Sequence, residues 1–67
     1  MTDREIAEQA RKTAQGILET IRDTRARGDS ATDAILIRTF HTLSEVHRKA
    51  VGTCLRVTEN WTVEEAV

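Results

Sequence analysis

Residues 36–61 read LIRTFHTLSEVHRKAVGTCLRVTENW, and one periodicity runs through them. Leu36, Phe40, Leu43, His47, Ala50, Cys54, Val57 and Trp61 follow one another at alternating steps of four and three. A seam of that spacing predicts one long α-helix whose apolar stripe is buried against other helices. Val46, Val51 and Leu55 widen the stripe, as do Ile35 and Ile37 at its start. The apolar arc then approaches half the circumference, more than one slender neighbour can cover. The stretch predicts a second helix over residues 31–60, followed by a short C-terminal tail.

Upstream, Gly28-Asp29-Ser30 interrupts the pattern. Gly28 suits the left-handed position after a last turn carrying Arg22, Arg25 and Arg27, cations that favour a helix C-terminus. Ser30 with Asp33 three residues on restarts a helix with a cap-like pair. Before the break, Thr2 and Glu5 have the spacing of a capping box. Ile6, Ala10, Ala14, Ile17 and Ile21 then mark one face, with Ala7 and Leu18 beside it. Arg4, Glu8, Arg11, Gln15, Glu19 and Arg22 take the opposite side, and Glu8–Lys12 and Asp23–Arg27 stand in the favourable i, i+4 order. The first helix is expected over residues 3–27 and the turn over 28–30. So short a connection makes the two helices antiparallel neighbours, with arms about 37 and 45 Å long at 1.5 Å per residue. The fold class that follows is all-α, a two-helix hairpin forming a single domain.

Val51-Gly52-Thr53-Cys54-Leu55-Arg56-Val57-Thr58 resists this reading. It is rich in β-branched residues, and Gly52 costs about 1 kcal/mol inside a helix. Alone it reads as a strand. The seam continues through it and no strand partner is evident, so it is assigned to the helix with a kink at Gly52. Thr62-Val63-Glu64-Glu65 resembles another capping box, with a frayed tail or a single turn expected there.

At 67 residues the chain can form one small core, and the usual staples are missing: a single cysteine makes no internal disulfide, and no metal-ligand spacing is visible. A second subunit is the simplest supplement, and the hairpin is expected to dimerise into an antiparallel four-helix bundle. Ile17, Ile21, Leu36, Phe40, Leu43, His47, Cys54 and Leu55 carry the seam shared by core and dimer. A charge introduced at Phe40 is then expected to abolish assembly.

Ten basic and eleven acidic residues nearly cancel, so no global field draws the chain to nucleic acid or to an anionic membrane. The first five residues show no basic segment leading into an apolar run, and no stretch is long enough to span a bilayer. With one unpaired cysteine, a cytoplasmic location is expected.

Signals for catalysis are weak. His47, on the seam, reads as a hydrogen-bonded core histidine rather than as a switch or a ligand. His41 and Glu45 are an i, i+4 pair, but two ligands from one helix are not a metal site. Cys54, one heptad from His47, would lie roughly 10 Å along the helix from it, too far for a catalytic dyad. No enzyme activity, cofactor or metal is expected.

The remaining candidates concern partners. Arg38, Arg48, Lys49 and Arg56 form a basic ridge on the outer face of the second helix, suited to phosphates or to an acidic protein. Trp61, the only tryptophan, either caps the core or anchors a partner. The expected function is that of a small regulator of the anti-activator or inhibitor type, bacterial or phage-like. It would bind a larger protein through helix faces of the dimer. A nucleic-acid-binding bundle using the basic ridge is one alternative, and a structural subunit of a larger complex is another.

Overall fold

A computed structural model describes residues 1–66; Val67, at the end of the expected tail, lies outside them. Helix α1 spans Asp3–Ala26 and helix α2 spans Ser30–Val51. Two strands follow, β1 at Cys54–Val57 and β2 at Val63–Ala66, paired antiparallel with Leu55 opposite Glu65 and Arg56 opposite Glu64. The helical hairpin is present, and a β-hairpin is packed onto it.

The capping box at the start of α1 is formed: the Thr2 hydroxyl accepts from the Glu5 amide while Glu5 reaches back to the Thr2 amide. The helix closes in a Schellman arrangement. Asp29 N–H bonds to Thr24 O, Gly28 N–H bonds to Arg25 O, and Gly28 takes φ +73°. Asp23 and Arg27 pair at 3.3 Å across the last turn. Asp29, rather than Ser30, caps α2, its carboxylate accepting from the Thr32 amide at 3.1 Å. The hydroxyl and amide of Thr32 hold that carboxyl below its ordinary range.

Ala7, Ala10 and Ala14 are buried along α1, and such small side chains let α2 approach closely. Leu18 and Ile21 continue that face. Phe40 extends from α2 toward Ala14 and Leu55, with Ile17, Leu43 and Val63 packed around the cluster.

The long second helix is the main correction. Helix α2 ends at Val51, about 33 Å from its start, and Gly52 terminates it at φ +86° with its N–H on Arg48 O at 2.7 Å. Cys54, Leu55, Val57 and Trp61 are therefore not helical. The β-branched run is a strand after all, and the tail expected to fray is its partner. Gly52→Ala meets no steric obstacle, since nothing lies within 4 Å of the added carbon. The left-handed backbone alone should cost about 1–2 kcal/mol, read as a lower denaturation midpoint with an unchanged slope.

Candidate functional site

Isolated two-stranded hairpins are marginal in water, and here the helices supply what the sheet lacks. From α2, the Ser44 hydroxyl accepts from Leu55 N–H at 2.9 Å and donates to Leu55 O at 3.4 Å. From α1, the Gln15 carboxamide accepts from Val63 N–H at 2.9 Å and donates to Trp61 O at 3.4 Å. Each outer edge of the hairpin is thus bonded to one polar side chain standing in for a neighbouring strand. His47 is the third fastening. It is 1% exposed, and its Nδ1 lies 2.6 Å from Thr53 O, so that nitrogen carries the proton and donates. Its Nε2 faces Glu65 Oε1 at 3.6 Å, and Arg11 approaches the same oxygen at 3.8 Å.

Two concave surfaces result. The first, about 540 Å³, is polar and lies at the His47 end, where Arg4 and Arg11 are matched by Glu8 and Glu65. His47 forms its floor but is bonded into the scaffold. Among the described residues no group of three or more His, Cys, Asp or Glu side chains is arranged to hold a metal ion. The second surface, about 430 Å³, is mainly apolar and lies between the C-terminal half of α1, the middle of α2 and the β-hairpin. Leu18, Ile21, Phe40 and Leu55 are its buried floor, Val57 and Trp61 its wall, and Arg25, His41 and Arg56 its rim.

The structure distributes the expected seam over distinct environments. Ile21, Phe40, His47 and Leu55 are buried; Ile17, Leu36, Leu43 and Cys54 are half-buried. Phe40 and Leu55 meet beneath the β-hairpin, so a charge at Phe40 would strike the fold before it reached any assembly.

The expected basic ridge is divided. Arg38 and Lys49 are exposed on α2 beside Thr42 and Val46. Arg48 is bound by Glu45 through both Nε and Nη2; the contact lowers the Glu45 carboxyl from its ordinary range and raises the guanidinium. Arg56 has moved to β1, where Glu64 binds it.

Trp61 is half-buried in the β-hairpin loop. Trp61 N–H bonds to Thr58 O at 3.1 Å and Thr58 N–H to Thr62 O at 2.9 Å, the pattern of a three-residue loop closed by a bulge. The bulge position needs a left-handed backbone and is usually glycine. Trp61 occupies it at φ +58°. The Arg25 guanidinium lies over the indole, 5.9 Å from the ring centroid.

Gln15 and Ser44 are the residues that sequence reasoning passed over. Ser44 carried a faint signal, a polar residue between Leu43 and His47 in a wide apolar arc. Gln15 carried none, because its role exists only once the chain returns at Trp61 and Val63.

Among known proteins, no family model matches this chain, and no curated protein or solved structure matches it either.

Proposed function

We propose that the protein is a small, non-enzymatic docking regulator that acts in the cytoplasm as a homodimer and binds a larger protein. The observation that carries this reading is an uncharged surface along both helices. Ile6, Thr13, Ile17 and Thr20 lie along one stripe of α1, and Leu36, Thr39, Leu43, Val46 and Ala50 follow at heptad spacing on α2, all of them at least partly exposed. At 100° per residue both stripes lie away from Gln15 and Ser44, which engage the β-hairpin. In a chain that is 31% charged, so long an uncharged surface favours burial.

The threonines fit that role. Thr20 and Thr39 donate their hydroxyls to the carbonyls of Gly16 and Ile35, one turn back, so the polar atom is already satisfied. A helical layer roughly 36 Å by 20 Å offers about 700 Å² per protomer, close to the ~800 Å² per partner of a standard interface. A pair of such layers makes the four-helix bundle, leaving both β-hairpins outside to meet the regulated protein.

Sedimentation equilibrium at high micromolar concentration should return a dimer mass. Val46→Glu should return a monomer of nearly unchanged helicity, because Val46 is exposed on that surface and lies outside the core cluster. A wild-type monomer would remove the bundle from the account. Capture of a protein that persists through nuclease and high salt supports the regulator reading. Loss of all retained material after nuclease would favour nucleic acid instead, a reading with less support because Arg48 and Arg56 already have carboxylate partners.

A further inference from the structure

The apolar groove at Trp61 has features of a binding site that packing alone does not require. Its floor is built from side chains that are 8% exposed or less, so the surface is preformed. Val57, on its wall, is 43% exposed. Among the described residues its lining contains neither aspartate nor glutamate; of its two arginines Arg56 is bound by Glu64 from outside the groove, which leaves Arg25 as the one to meet a partner. Arg25 uses Nε on Asp33 at 3.1 Å, which leaves the paired Nη groups of its fork for a second acceptor.

The loop that presents Trp61 is the second observation. A tryptophan at the left-handed bulge position strains the backbone where glycine would not. Nothing about closing the loop calls for an indole there. The side chain is kept where it forms the groove wall, with Arg25 over one of its faces.

We propose that this groove docks an acidic amphipathic segment of another protein. A bulky apolar side chain of the segment enters between Val57 and Trp61, and a neighbouring carboxylate meets the free fork of Arg25. The inference rests on the docking reading given above but not on the dimer, since the groove is built within one protomer. Nucleic acid fits less well. Arg25 already lies over the indole on which a base would stack, and the floor offers aliphatic and phenyl groups rather than phosphate ligands.

Trp61 is the only tryptophan, so its emission reports the groove directly. The probes are a panel of short tryptophan-free peptides combining leucine or phenylalanine with glutamate on one helical pattern. Twins with lysine for glutamate and an oligothymidylate serve as comparisons. Saturable changes in Trp61 emission are expected with acidic members and not with their lysine twins. Arg25→Gln should weaken binding about tenfold, and Val57→Glu by more, with circular dichroism unchanged. Trp61→Gly, followed by calorimetry, should keep or raise the melting temperature while losing the peptide, which separates a binding role from a structural one.

Equal binding of the lysine twins overturns the proposal, as do failure of the whole panel at millimolar concentration and tighter binding of the oligothymidylate. If Arg25→Gln and Val57→Glu still capture a protein partner in full, the regulator reading stands and the groove assignment falls. If the acidic peptides bind while no protein is captured, the groove assignment stands and the regulator reading falls.

Discussion

Phe40→Ala is expected to leave the protein unfolded at room temperature. Phe40 is 8% exposed and joins the cluster in which α1, α2 and the β-hairpin meet, through Ala14 and Leu55. Truncating a buried phenylalanine costs about 3–5 kcal/mol, from lost transfer free energy and the cavity left behind. A single small core of this size supplies on the order of 3–5 kcal/mol of net stability, so one substitution can consume nearly all of it. The core has little means of refilling the space where Ala14 of α1 faces the ring. Thermal circular dichroism should show no cooperative transition. Phe40→Leu, which retains most of the volume, should restore one at a lower temperature. A cooperative melt of Phe40→Ala near the wild-type midpoint would mean that the ring contributes little to the core.

His47→Ala is expected to detach the β-hairpin while the helices remain paired. The imidazole is buried, and its Nδ1–H satisfies the carbonyl of Thr53, the residue just before β1. Removing it opens a cavity and strands that acceptor, together costing roughly 3 kcal/mol. Beyond Leu55 and Val63 at the core, the fastenings of the β-hairpin to the helices are few: Ser44, Gln15, and the exposed pair Arg11–Glu65, which contributes little. Amide hydrogen exchange should show Cys54–Val57 and Val63–Ala66 losing protection while the interior of α1 keeps it. Uniform loss across all four elements would show instead that helices and β-hairpin open as one unit.

The helical hairpin was legible in the sequence because its signals are local. The Thr2–Glu5 box, the run of Ala7, Ala10 and Ala14, and Gly28 each act within a turn or two of chain, and each appears in the structure where expected. The β-hairpin was not legible, for a reason visible in β2. Val-Glu-Glu-Ala is a poor strand sequence by composition, and it becomes one only through Arg56 opposite Glu64 and through Gln15 on its edge. With that partner unseen, the β-branched run of β1 had nothing to pair with, and the spacing of Cys54, Val57 and Trp61 coincided with the helical seam. Gly52 held the correct information, since a left-handed residue ends a helix rather than kinking it. The apolar groove was hidden for the same reason. Trp61 stood out, but Leu18, Arg25 and Val57 become its neighbours only after the chain turns back.

The Gln15 carboxamide spans 46 and 48 positions of sequence in reaching Trp61 and Val63. Contacts between α1 and α2 grow outward from a tight turn, so their closure entropy is small and they can form early. The Gln15 clasp demands a much longer loop and gains its bonds only when the β-hairpin is already in place. Interactions made that late leave the folding rate nearly untouched and govern how fast the native state is lost. One amide side chain on the first helix therefore acts as a latch on the lifetime of the folded molecule.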